Sequence, residues 1–248
     1  MLKQGLRTLL IPLVLLVTWI ILGGRLPPVI LPTIGATFRA FRELIAIGEL
    51  GPAWLWSMYR IGYATLLSVV ICVPLGLLSK SFRGVKEIVT PFTNFIRYIP
   101  VTVFYPLLIV WLGIDESMRV AFLFIATFFV FFPAVMLTLE SIDEKIIERA
   151  LTCGANKWQM IWHVYIPATL PALCRSFLTM FSVGFTYMII AETINVRHGL
   201  GYLMTIGSAR GRTDMVFAAI LVTIITGVVI DITGKLIIKA VFRWERRS

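Results

Sequence analysis

Glu148-Arg-Ala-Leu-Thr-Cys-Gly154-Ala-Asn-Lys-Trp-Gln-Met-Ile-Trp-His-Val164-Tyr-Ile166-Pro167 is a polar stretch set between two long apolar runs. Residues 146–153 have helical spacing, with Ile147, Ala150 and Leu151 on one face. Gly154 permits the left-handed turn that ends such a helix. A second helix is expected over 155–166, with Pro167 and Pro171 turning the chain back toward the apolar run that follows. The stretch therefore reads as two short helices at an angle, lying on a surface. Small Ala150 and Gly154 leave room for a partner to approach closely, and Glu148 supplies a polar anchor. The alternative is an amphipathic surface helix that touches only lipid headgroups.

The flanking runs set the solvent. Of 248 residues, 58% are hydrophobic and 15% charged, and the mean hydropathy is +0.90. A soluble domain carries about 25% charged residues. Six apolar stretches read as membrane helices: 9–22, 54–78, 88–112, 118–139, 172–191 and 215–241; the first is somewhat short for the roughly 20 residues a bilayer needs. The expected fold is all-α and polytopic, with six transmembrane helices. Between the first two spans, 34–47 reads as a short amphipathic helix. The third span holds Pro91, Pro100 and Pro106 and is expected to be kinked. Residues 113–117 form a short turn, and 193–214 form a polar loop rich in Gly and Arg. The expected division is 1–50 for the first helix and amphipathic segment, 51–242 for the main membrane domain, and 243–248 for a basic tail.

The net charge is +10. No basic run is interleaved with exposed aromatics, so nucleic acid is not an expected partner. The cations follow the positive-inside rule instead. With the N-terminus inside, one side receives Lys3, Arg7, Lys80, Arg83, Lys86, Lys145, Arg149, Lys157, Lys235, Lys239, Arg243, Arg246 and Arg247. The other receives Arg25, Arg39, Arg42, Arg119, Arg197, Arg210 and Arg212. Both termini are therefore expected in the cytoplasm. Cys72, Cys153 and Cys174 show no metal-type spacing, and no metal is expected.

Arg60, Arg97 and Glu192 fall in or at the ends of apolar spans. A charge near the bilayer centre costs at least about 2.5–3.5 kcal/mol on insertion scales. Two readings stand. The three residues line or gate a translocation route, with Tyr98, Tyr187, Thr193 and Asn195 as polar companions. Or they form an internal salt bridge holding the second, third and fifth spans together; a further reading puts Arg60 and Glu192 simply at the periplasmic interface by snorkelling. Asp231 and Lys235, four apart in the sixth span, are expected to pair.

The opening stretch resembles the EAA loop of bacterial ATP-binding-cassette (ABC) importer permeases. Glu148, Ala150, Gly154 and Pro167 fall on that pattern, Val164 and Ile166 replace its Ile and Leu conservatively, and Arg149 departs from it. Further stretches are similar to the nitrate, sulfonate, taurine and bicarbonate group: Tyr98-Ile99-Pro100, the run from Pro106 to Gly113, Ala191-Glu192 and Gly199-Leu200-Gly201-Tyr202-Leu203. The resemblance covers roughly 30–245. It implies the type I ABC importer fold, in which Glu148, Ala150, Leu151, Gly154, Ala155 and Pro167 couple to an ATPase. The implied partners are a second copy of the chain, two ATP-binding-cassette ATPase subunits and a periplasmic solute-binding protein, with the chain in the inner membrane among lipid. No Gly-x-x-x-x-Gly-Lys-Ser/Thr loop occurs. No cofactor is therefore expected on this chain, and ATP and Mg belong to the partner ATPase. No catalytic residue is expected. The resemblance implies a small anion as cargo, such as a sulfonate, taurine, nitrate or bicarbonate. Relatives in the group carry thiamine-precursor pyrimidines or riboflavin. A channel or secondary transporter is the alternative from another class; internal repeats, common in secondary transporters, are not evident.

Overall fold

The structure, a computed structural model, describes residues 2–194 and 196–243, with side chains from Ile11 onward except Pro12. The side chains of Lys3 and Arg7, the whole of Asn195, and the tail beyond residue 243, with Arg246 and Arg247, lie outside the described residues. Helices in chain order are α1 (Leu2–Gly23), α2 (Ile34–Ala46), α3 (Leu50–Ser81), α4 (Arg83–Ile96), α5 (Phe104–Leu112), α6 (Glu116–Glu140), α7 (Glu144–Thr152), α8 (Lys157–Gln159), α9 (Ile166–Ala191), α10 (Leu200–Ala209) and α11 (Thr213–Val241). No strand occurs among the described residues.

Four helical runs are long and apolar enough to cross a membrane: Leu50–Ser81, Glu116–Glu140, Lys157–Ala191 and Thr213–Val241. They contain the second, fourth, fifth and sixth expected spans. The first expected span lies in α1, whose described apolar part is Leu13–Gly23. The third is not one kinked helix. It is α4, a break, a 3-10 turn at Val101–Val103, and α5, with the two arms bent by 87°. Pro100 stands at the break with extended backbone. A residue preceding proline is pushed out of the α region, and proline offers no N–H to the turn before it, so the helix stops there.

The fifth span also differs from expectation. Lys157–Ala191 is one helical run, and Pro167 does not turn the chain back. The backbone widens instead into a π-helical stretch at Met160–Tyr165, directly before Pro167. A wider turn accommodates the missing N–H and the ring that would crowd the preceding carbonyl. The polar loop 193–214 likewise contains a helix, α10, whose Leu200, Leu203 and Met204 are buried.

The chain forms two compact units. One comprises Met1–Ser57 and Asn195–Ile225; the other comprises Met58–Ile194 and Thr226–Ser248. In the first, Thr33 caps α2, its hydroxyl accepting the Ala36 N–H (3.2 Å). Thr37, Ala40 and Leu44 form the buried face of α2. The Trp19 indole donates to the Pro32 carbonyl (2.8 Å) and packs on Phe217 (5.4 Å between centroids). The Leu200 N–H reaches the Ser57 hydroxyl (2.9 Å).

In the second unit α6 packs along α9. The core joins Cys72, Leu77, Phe131, Phe132, Val135, Leu139, Met160, Tyr165 and Met180. Phe92, Phe128 and Phe132 stack from α4 onto α6. Ser68 and Thr127 share a buried hydroxyl–hydroxyl bond of 2.8 Å between α3 and α6, which satisfies two polar groups that lipid could not. Asp231 and Lys235 pair at 2.6 Å.

Candidate functional site

The segment 148–167 folds as its local chemistry dictates. Asp143 opens α7, its carboxylate accepting the Lys145 N–H (3.0 Å). At the other end the Gly154 N–H donates to the Leu151 carbonyl (2.9 Å) and the Ala155 N–H to the Ala150 carbonyl (3.1 Å). This is a Schellman motif, and Gly154 takes the left-handed conformation it requires, with φ +81°. Asn156 and Gln159 then form a capping box: the Gln159 N–H donates to the Asn156 side chain (2.9 Å) and the Asn156 N–H to the Gln159 side chain (2.8 Å). α7 thus stops at Thr152 and the next helix starts at Lys157, with both caps inside the short turn between them.

The faces differ from the expected ones. Ile147 and Ala150, half-buried, pack on the core with Ala155, Val164 and Ile166. Leu151 is 56% exposed and leaves the face assigned to it. Leu151 lies about 40° round the helix from Ile147 but about 100° from Ala150, at the flank of the buried face and in the last turn of α7, where it stays exposed. Small Ala150 lets α7 lie close on its own bundle. Glu148, Leu151, Gly154 and Pro167 are exposed. At α7 the segment therefore presents a capped helix end with the Leu151 side chain beside it.

The second feature is a buried charge cluster. Arg60 of α3 donates through Nε (2.8 Å) and Nη2 (2.7 Å) to both carboxylate oxygens of Glu116, and through Nη1 to Glu192 (2.6 Å). Arg119, one turn into α6, donates to Glu116 (3.1 Å) and to the Ile194 carbonyl (3.4 Å). Arg60 and Glu192 are each 1% exposed, whereas the Glu116 side chain is 44% exposed. Two arginines and two glutamates balance. Removing each ion from water costs several kcal/mol, which only close, multiply hydrogen-bonded pairing offsets. Glu116 sits in the first turn of α6, where the helix dipole favours an acid. Glu192 sits at the end of α9. The cluster therefore ties α3, α6 and the end of α9.

Of the pathway candidates, Arg60 and Glu192 meet. Arg97 does not join them: it is exposed at the end of α4 and has no ion pair among the described residues. The helix that completes the cluster is α6, in place of the third span. Tyr98 is 85% exposed. Tyr187 is half-buried edge-on to Phe122 (6.0 Å). The exposed Thr193 donates back to the Ile190 carbonyl (2.7 Å). Asn195 lies outside the described residues. Sequence reasoning missed Glu116 and Arg119. Their signal was an acid and a base three apart at the entry of an apolar span, beside intramembrane arginines that one acid could not neutralise.

The first unit holds a different arginine centre. Arg212, before α11, clamps both oxygens of Glu43 on α2 (2.7 and 2.7 Å) and reaches Asp214 at 3.0 Å. The Arg212 hydrogen bonds hold the Glu43 carboxyl below its ordinary range. With two carboxylates on it, Arg212 is not an open cation for an anionic cargo. Arg197 and His198 line a cleft of about 250 Å³ that also contains Glu49.

The described residues thus form a helical membrane bundle that carries a doubly capped helix pair and an internally neutralised charge cluster. Residues 72–243 match the binding-protein-dependent transport system inner membrane component, and the chain belongs to that family. It is thus a non-catalytic inner-membrane permease subunit of an ABC importer. It is 25% identical to an aliphatic sulfonates transport permease protein, SsuC, of Bacillus subtilis over 96% of this chain and 87% of that one. It is 25% identical to the taurine transport system permease protein TauC of Escherichia coli, over 78% and 72%. It is 27% identical to the riboflavin transport system permease protein RibX of Chloroflexus aurantiacus, over 66% and 61%. An inward-facing structure of the MetNI methionine ABC transporter superposes with a TM-score of 0.65 at 21% identity, covering 76% of this chain and 94% of that one. The type I importer fold follows from that likeness.

Proposed function

We propose that two copies of this chain pair in the membrane, each carrying one ATP-binding-cassette ATPase on the surface of α7, with a periplasmic solute-binding protein delivering cargo to the opposite side. The observation that carries this reading is the exposed end of α7. Glu148, Leu151 and Gly154 face outward around a turn fixed by caps on both sides, in a chain without a phosphate-binding loop of its own. ATP and Mg sit on the partner subunits. In this reading ATP closes the two ATPases, α7 moves with them, and the bundle alternates its opening between the two sides. The termini lie in the cytoplasm, as the cation distribution supports. Arg60 and Glu192 brace the outer ends of the helices that move; Arg97, Tyr98, Tyr187, Thr193 and Asn195 remain candidates for the cargo route.

The cargo proposed is a small organic or inorganic anion such as a sulfonate or taurine. Relatives named for sulfonates and taurine support it, and one named for riboflavin marks the second reading. The test is reconstitution with the cognate ATPase and binding protein. Glu148→Ala with Leu151→Ala is expected to lower ATPase copurification and cargo-stimulated ATP hydrolysis at least about tenfold, the effect of removing about 1.4 kcal/mol of coupling. A variant that retains both assigns docking to another surface.

A further inference from the structure

The helical run that starts at Lys157 leaves Trp158 and Trp162, four residues apart, 60% and 65% exposed. Phe82, in the turn between α3 and α4, meets the first of them: its ring lies edge-on to Trp158 at 6.2 Å, and the Lys157 ammonium stands over it at 4.8 Å. Those two contacts bring the junction of α3 and α4, flanked by Lys80, Arg83 and Lys86, beside Trp158. Within residues 80–87 and 157–163 the one acid is Glu87, and it pairs with Arg83 (3.0 Å). Beyond this basic corner α4 turns apolar. Ile88, Phe92 and Phe95 recur at helical spacing, and all three are exposed.

We propose that this corner binds the headgroup of an anionic phospholipid and so fixes the start of the long helix at the membrane surface. The charge order matches such a molecule from end to end. Lys80, Lys86 and Lys157 face its phosphate, the amphipathic indoles take the headgroup level that Trp prefers, and Ile88, Phe92 and Phe95 run along its acyl chain. A net excess of cations discriminates anionic from zwitterionic lipid. The segment 148–167 thereby divides in two. The part up to Gly154 is left for a protein partner, and the part from Lys157 belongs to lipid. Only the first half of that division rests on the proposed coupling role; lipid binding stands without it.

The test uses the whole complex in nanodiscs of phosphatidylcholine doped with either brominated phosphatidylglycerol or brominated phosphatidylcholine. Subtracting the fluorescence of a Trp158→Phe, Trp162→Phe variant isolates the two rings. The brominated anionic lipid is expected to quench that difference signal at least about twofold more than the zwitterionic one. The excess should vanish in Lys86→Gln with Lys157→Gln and persist in Lys86→Arg with Lys157→Arg, which separates lost charge from lost folding. Equal quenching by the two lipids overturns the proposal. So does a signal that neither lipid quenches in the whole complex, which assigns the corner to the protein partner. Copurification of the ATPase is read separately, so failure of the coupling reading leaves this outcome distinguishable.

Discussion

Arg60 and Arg212 are built alike and placed in opposite media. Each guanidinium grips one glutamate through two nitrogens and reaches a second carboxylate, at 2.6–2.8 Å around Arg60 and 2.7–3.4 Å around Arg212. Arg60 is 1% exposed, and one of its acids is fully enclosed. The Arg212 and Glu43 side chains stand 38% and 49% exposed. The geometry is nearly the same, yet the consequence of losing a partner is not. In the enclosed cluster, loss of Glu192 leaves the Arg60 Nη1 that faced it with no water to turn to. At the surface an orphaned ion is rehydrated at once.

The sharpest way to break this comparison is Glu192→Ala. Removing one member of an enclosed pair costs about 3–5 kcal/mol, so we expect a large fall in the melting temperature of detergent-purified protein and in the yield of monodisperse material. Arg60→Met added to Glu192→Met removes both charges and should recover most of the loss. A double variant that folds but does not transport assigns the cluster a part in translocation; one that transports confines it to bracing. Next comes Gly184→Ala. A Cβ there would lie 2.8 Å from Cγ2 of Ile61, the buried neighbour of Arg60. Overpacking costs about 1–3 kcal/mol, and the better helix propensity of alanine returns at most about 1 kcal/mol. The melting temperature should drop, and Ile61→Ala in the same chain should restore part of it.

The smallest effect belongs to the surface centre. Glu43→Gln at neutral pH should move the melting temperature little, and added salt should shrink even that difference. Its pH dependence has a definite sign. Arg212 lowers the folded-state pKa of Glu43. The pair's contribution is therefore complete above the ordinary glutamate value of about 4.3 and is lost as pH falls through the lowered folded value. Melting curves of wild type and Glu43→Gln taken down that range should converge at the acid end. A surface variant as damaging as Glu192→Ala would end the comparison.

Local order was legible where the partners are near in sequence. The amphipathic α2, the Gly154 stop and the Asp231–Lys235 pair all rest on separations within about one helical turn. Arg60 and Glu192 are 132 residues apart, and Glu43 and Arg212 are 169 apart. No spacing rule links them. Charge balance did hold a clue, since Arg60 and Arg97 faced one acid, and the structure resolves it by recruiting Glu116 instead of pairing Arg97. Pro100 and Pro167 show the same limit from the other side. Both forbid a regular turn, but one breaks its helix and the other is absorbed by a π stretch. The choice depends on what packs around each.

Composition and hydropathy alone determined that this chain is a helical membrane protein, because an apolar run of some twenty residues has a lower free energy in lipid only as a helix. The capped turn at Gly154 was likewise determined locally, by backbone conformation and side-chain caps. Tertiary structure decided which face of α7 is offered outward, that the third span breaks by 87°, and which acids neutralise Arg60. Those outcomes turn on burial. Burial is a property of the packed bundle, where a neighbour from a distant part of the chain replaces water or lipid, and no single segment carries it.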